Sequence, residues 1–253
     1  MAFFYCHIIN RIMQIINIPN IITSLNLICG CLAIYFGLRG DIDLACLYIV
    51  LGAVFDFFDG MSARALGVSG PIGKELDSLA DVVTFGVAPS VLCYSLVMAT
   101  APLFSDSAEA IALFAFIMAA FSALRLAKFN CDERQATSFI GLPTPANALF
   151  WIGLSYVAEI EAVRVFMAGN AMLSAIIVLV LMIAMSLLLI SEIPMFSFKF
   201  KAGHTAWGEN KLRYSFLIIA IALIALFALL GNVAASLAAI ILLYIIISIV
   251  TRK

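Results

Sequence analysis

Long apolar runs constrain this chain before anything else does. Stretches at roughly 18–38, 43–65, 77–99, 107–127, 144–160, 169–190, 213–230 and 233–250 each come near the length of helix that crosses a bilayer. A helix rises about 1.5 Å per residue and the hydrocarbon layer is about 30 Å thick, so about 20 residues suffice. Lipid offers no water to unpaired backbone N–H and C=O groups, so such segments must be helical. With 65% apolar residues, 11% charged and a mean hydropathy of +1.16, an ordinary soluble domain is excluded. The sequence therefore predicts an all-α, polytopic membrane helix bundle of about eight transmembrane helices. The earlier stretches carry scattered polar and small residues, whereas the later ones, as in AIIVLVLMIAMSLLLI at 175–190, are almost purely aliphatic. Function is expected in the front half and lipid contact in the back half.

Residues 1–17 are expected to lie on the membrane rather than cross it. In FFYCHIINRIMQIIN, His7, Asn10, Gln14 and Asn17 recur at helical spacing and leave isoleucines on the other face, the pattern of an interfacial amphipathic helix. Interruption by Asn10, Arg11 and Gln14 argues against a signal peptide. Orientation follows from the enrichment of Lys and Arg in cytoplasmic loops. With the N-terminus inside, all of the 14 Lys and Arg residues except Arg39 and Arg164 fall on the inner side. Both termini are therefore expected in the cytoplasm. The net charge of −1 says nothing about partners, and without a basic run no nucleic-acid partner is expected. The 6 cysteines lack paired spacing and read as small apolar fillers rather than a disulfide or metal framework.

Against this background, DFFDGMSARALGVSGPIGKELDSLAD at 56–81 is anomalous. One unpaired aspartate in the middle of a span costs about 2.5–3.5 kcal/mol on insertion scales, and here there are several. Asp56 and Asp59 are i,i+3 neighbours on the second span, with Gly60 and Ala63 on the same face. Gly73, Asp77 and Asp81 follow at i, i+4, i+8 on the third, giving a second acidic stripe. Carboxylates converging from two helices repel one another unless cations sit between them, and hard oxygen donors suit Mg²⁺, Mn²⁺ or Ca²⁺. Capping, or pairing with Arg64 or Lys74, could neutralise part of the cluster but not all of it.

The spacing Asp56-x-x-Asp59-Gly60-x-x-Ala63-Arg64, then Gly73-x-x-x-Asp77-x-x-x-Asp81, resembles the full signature of the CDP-alcohol phosphotransferases. The resemblance implies a membrane enzyme that displaces CMP from a CDP-linked lipid, two metal ions (Mg²⁺ or Mn²⁺), and a homodimer. It implies Asp56, Asp59 and Asp77 as metal ligands, with Asp81 as general base beside the metals and a fourth ligand. Arg64 can present its planar fork to phosphate oxygens. Gly60, Ala63 and Gly73 would leave room for the nucleotide, and Thr23 and Asn26, after Pro19-Asn20, resemble the nucleotide-side segment of relatives. Capping by Asn17 or Asn20 accounts equally well for the start of that segment.

Beyond the signature, LDSLADVVTFGVAPS (76–90), RLAKFN (125–130), FIGLPTPANA (139–148) and SEIPMFSFK (191–199) are similar to the membrane-embedded phosphatidylserine synthases. That implies CDP-diacylglycerol and L-serine as substrates, phosphatidylserine and CMP as products, and a prokaryotic cytoplasmic membrane as the site of action. Serine is a small zwitterion, so its carboxylate needs a cation; Arg125, Lys128 and Asn130 are the candidate donors. Snorkelling to headgroups is the ordinary alternative for these side chains. A sibling enzyme acting on glycerol 3-phosphate or inositol phosphate is one alternative. A cation channel or transporter is another, but no polar stripe crosses the later spans. The expected organisation is one membrane domain, 1–253: interfacial helix 1–17, catalytic six-helix core 18–190, and a cytoplasmic loop with two additional helices at 191–253.

Overall fold

In a computed structural model the protein is described over residues 16–68, 70–100, 108–132, 140–195 and 206–251; of 108 and 206–210 only the backbone is described. Of the proposed interfacial helix, residues 1–15 lie outside the described residues, and Asn17 belongs to the cap of the next helix. All regular structure described is helical. α1 is Ile18–Leu38, α2 Ile42–Leu66 and α3 Pro71–Asp81; α3 continues through a π turn, Val82–Val87, into α4, Ala88–Met98. α5, Ala108–Ala112, runs through the 3₁₀ segment Leu113–Phe116 into α6, Ile117–Cys131. Then come α7 (Thr144–Ala158), α8 (Glu161–Gly169), α9 (Ala171–Ile190), α10 (Ala206–Leu229) and α11 (Ser236–Val250).

Local chemistry explains the boundaries. Asn17 caps α1, its Oδ1 accepting from Asn20 N–H at 2.9 Å, with Pro19 in the first turn where its missing N–H costs nothing. Gly67 ends α2 in the left-handed conformation at φ 64°, which lets the chain turn back toward α3. Gly141, at φ 78°, does the same before α7: a Cβ there would lie 2.6 Å from the Leu189 carbonyl oxygen.

Among the described residues, seven segments are long and apolar enough to cross a membrane: Ile18–Leu38, Ile42–Leu66, Pro71–Met98, Glu109–Cys131, Ala171–Ile190, Lys211–Leu229 and Val233–Val250. The expected fifth span, 144–160, is α7, only 15 residues and about 22 Å long. It still joins the two ends of the bundle. Its start lies beside the end of α9, where Leu142 N–H donates to the Leu188 carbonyl at 2.9 Å. Its end lies beside the start of α2, where the Tyr156 hydroxyl donates to Asp43 at 2.8 Å. Pro143 at the N-cap and Pro145 in the first turn set its start at Thr144, and the helix ends at Ala158. The protein is an integral membrane helix bundle.

The span Pro71–Met98 is the centre of that bundle, with 67% of its most apolar window buried by protein, against 11% for Lys211–Leu229. Phe85, Leu92, Met118, Phe150, Trp151 and Met182 fill the core around it. Residues such as Ile218, Ile221 and Leu229 on α10 stay exposed, as a lipid-facing surface requires.

Candidate active site

α2 and α3 bring Asp56, Asp59 and Asp77 together, each offering a carboxylate oxygen within 4.8 Å of the others. Asp59 is buried, and Asp56 and Asp77 are half-buried. Asp59 Oδ2 and Asp77 Oδ1 are enclosed without a hydrogen-bond partner. Among the described residues, no Lys or Arg forms an ion pair with any of the signature aspartates. Orphaned, converging carboxylates in a low-dielectric setting fit a divalent cation, since oxygen donors of this kind are what Mg²⁺ and Mn²⁺ take. Asp81, one turn further along α3, stands apart from that trio. It is buried, accepts from Asn26 Nδ2 at 3.3 Å, and lies within electrostatic reach of the other three aspartates.

Beside the acidic cluster opens a cleft of about 250 Å³, with Asp59 and Asp77 in its wall. Thr23, Gly60, Ala63, Arg64 and Gly73 line it, so five of the residues expected on the nucleotide side share one cavity. A Cβ on Gly60 would meet nothing within 4 Å, so its missing side chain opens the cleft rather than serving a helix contact. Gly73 instead admits Asn20, whose Oδ1 would lie 3.1 Å from a Cβ there. Asn20, from the Pro19-Asn20 start of the nucleotide-side segment, and Lys74, which no sequence pattern assigned to substrate, also line the cleft. Asn26 does not line it: fully buried, it stands behind Asp81.

The residues considered for the acceptor pocket separate. Arg125 is buried on α6, its guanidinium 5.2 Å from the Phe129 ring centroid and its Nε without a partner. It is within electrostatic reach of Asp81 and of Tyr244 on α11, a residue that sequence pattern gave no reason to place here. Lys128 is engaged elsewhere: it pairs with Glu192 and donates to the Ile190 carbonyl at 3.4 Å. Asn130 donates to Ser78 Oγ at 2.8 Å, and its carbonyl accepts from Lys74 Nζ at 3.1 Å, tying α6 to α3. Lys128 and Asn130 thus brace the site end of the bundle.

Over residues 16–176 the sequence matches the CDP-alcohol phosphatidyltransferase family. The chain belongs to this family. Its signature cluster, cleft and Arg125 fall inside the matched region, and α10 and α11 lie beyond it. Among its relatives is the CDP-diacylglycerol–serine O-phosphatidyltransferase of Bacillus subtilis (strain 168), 44% identical over 139 residues, covering 55% of this chain and 75% of that one. The Methanocaldococcus jannaschii protein of the same name is 38% identical over 168 residues, covering 65% and 75%. An archaetidylserine synthase of Methanothermobacter thermautotrophicus is 31% identical over 170 residues, covering 64% and 69%. These CDP-alcohol phosphatidyltransferases differ in the lipid that their names specify, but all the names specify serine.

Proposed function

We propose that this chain transfers the phosphatidyl group of CDP-diacylglycerol to the hydroxyl of L-serine, giving phosphatidylserine and CMP. The observation that supports it most is the trio Asp56, Asp59 and Asp77, two of which, Asp59 and Asp77, stand in the wall of a cleft lined by Arg64, within a chain similar to relatives named for serine.

In the reaction the serine oxygen forms a bond to the lipid-side phosphorus, the bond from that phosphorus to the bridging oxygen breaks, and CMP leaves. Asp56, Asp59 and Asp77, with Asp81 beside them, would hold Mg²⁺ or Mn²⁺, two ions in this reading. Bound there, the ions would neutralise charge on the diphosphate oxygens. Arg64 and Lys74 bind phosphate from the cleft wall, Arg64 through its planar fork. Gly60 leaves the nucleotide space against α2. Thr23, Ala63 and Gly73 shape the same cavity. Asp81 accepts the serine proton. Arg125, buried with an unpaired Nε, holds the serine carboxylate.

The reading places the catalytic core at 18–190, with 1–17 on the membrane surface and 191–253 as an accessory pair of helices. In this reading the site end and both termini face the cytoplasm, which the Lys and Arg distribution supports, and the bacterial and archaeal relatives support a prokaryotic membrane. In a background without native cysteines, Val68→Cys should label only from that side; labelling from outside would reverse the topology. Light scattering should show two chains per detergent particle, whereas a single chain would refute the homodimer.

Purified protein with CDP-diacylglycerol and each alcohol in turn tests the assignment. CMP release should require serine. Release with glycerol 3-phosphate or inositol phosphate, and none with serine, would transfer the chain to a sibling activity.

A further inference from the structure

Directly after Asp81 the helix changes its winding. In the π turn Val82–Val87 the Ala88 N–H reaches back to the Val83 carbonyl, so the turn holds one more residue than an α-helical turn. Residues after Asp81 are therefore rotated relative to the Gly73–Asp77–Asp81 stripe. Asp81 and Thr84 end up addressing one residue of α1: Asn26 Nδ2 donates to Asp81 Oδ1 at 3.3 Å, and the Thr84 hydroxyl donates to the Asn26 carbonyl at 3.0 Å. Asn26 and Thr84 are both fully buried.

Missing side chains hold this arrangement. A Cβ on Gly30 would lie 2.5 Å from Thr84 Oγ1, and one on Gly52 would lie 2.5 Å from Thr84 Cγ2 and 2.9 Å from Asn26 Oδ1. Glycines of α1 and α2 thus form a notch closed around Thr84 and Asn26. Asn26 Oδ1 has no hydrogen-bond partner. An apolar residue would fill the same space without leaving a buried acceptor unpaired, so the contribution of the amide lies in its bond to Asp81.

We propose that Asn26, Thr84 and the Gly52 notch form a positioning unit for Asp81, fixing Oδ1 and leaving Oδ2 to accept the proton of the attacking alcohol. This rests on Asp81 acting as the base. Asn26 and Thr84 act through Asp81, not on the substrate, and a reacting group misplaced by about 1 Å can lose about 10²-fold in rate.

Thr84→Val keeps the shape and removes the hydroxyl. It should lower kcat by roughly 10-fold or more while the KM values for serine and CDP-diacylglycerol stay within about twofold. Thr84→Ser should behave like the wild type. In an Asp81→Asn background, assayed over long incubations, Thr84→Val should add no further loss, because both changes remove one function. A wild-type kcat in Thr84→Val, or its full loss repeated on top of Asp81→Asn, would overturn the proposal and leave Thr84 as a packing residue. Asp81→Asn with undiminished turnover would instead refute Asp81 as the base; an inactive Asp81→Asn beside a fully active Thr84→Val would remove only the positioning unit. Should Thr84→Val fail to fold, Gly52→Ala supplies the test. It should lose kcat, and adding Thr84→Ser, which removes the methyl in its way, should restore part of it; no restoration contradicts the notch.

Discussion

The two ends of the bundle treat charge in opposite ways. At the end holding Arg39 and Arg164, polar groups are exposed and paired: Arg164 with Glu161, Arg39 with the Tyr35 hydroxyl at 2.8 Å, and Asp43 with Tyr156 at 2.8 Å. At the other end, acids meet acids, with Asp59 Oδ2 and Asp77 Oδ1 enclosed and unpartnered. Exposed pairs of the first kind contribute about 0–1 kcal/mol each. The second arrangement opposes folding unless something positive is added. Placement, rather than the number of charges, distinguishes a surface from a site.

That contrast can be broken most directly at the acids. Asp56→Asn, Asp59→Asn and Asp77→Asn should each reduce CMP release by about 10³-fold or more. A metal in such a site supplies several kcal/mol of charge stabilisation, and each 1.36 kcal/mol is about tenfold in rate. A variant retaining a tenth of the activity would remove that aspartate from the metal set.

Arg125 should give an intermediate effect, because it is buried like the acids yet assigned to binding. Arg125→Ala should raise the KM for serine by about 10-fold or more while kcat changes little, as expected for a charge-assisted contact of about 1.5–3 kcal/mol made equally before and during reaction. Arg125→Lys should recover only part of the affinity, lacking the fork. An unchanged serine KM would reduce Arg125 to a structural cation.

The smallest effects belong to the paired charges. Arg164→Ala and Glu161→Ala should leave kcat/KM within about twofold, and Lys128→Ala or Glu192→Ala should lower the thermal midpoint slightly while sparing kcat. A large rise in serine KM for Lys128→Ala would return that lysine to the acceptor pocket.

Much of this was legible in the chain, for identifiable reasons. Helical spacing alone set Asp56 beside Asp59 and Asp77 beside Asp81, and apolar length alone located the helices, because both signals are local. At 144–160 apolar length found a helix of only 15 residues, Thr144–Ala158, which still reaches from the end of α9 to the start of α2. Asn26 was expected against nucleotide but sits behind Asp81, since a helix face can be read from spacing while the partner across it cannot. The one-residue insertion of the π turn leaves no periodic trace, so Thr84 went unnoticed. Lys128 finds Glu192 across 64 residues of chain, and FIGLPTPANA meets SEIPMFSFK through Gly141 N–H and the Ile193 carbonyl at 2.9 Å. No local pattern announces either contact.

The central claim is that the converging aspartates hold divalent cations, and manganese reports on this without any turnover. Mn²⁺ titrated into the purified protein with CMP present, followed by the paramagnetic resonance signal of the free ion, should show that signal suppressed until the sites fill, at up to two ions per chain. Asp59→Asn and Asp77→Asn should leave most of the signal free. A wild-type titration indistinguishable from buffer would contradict the account.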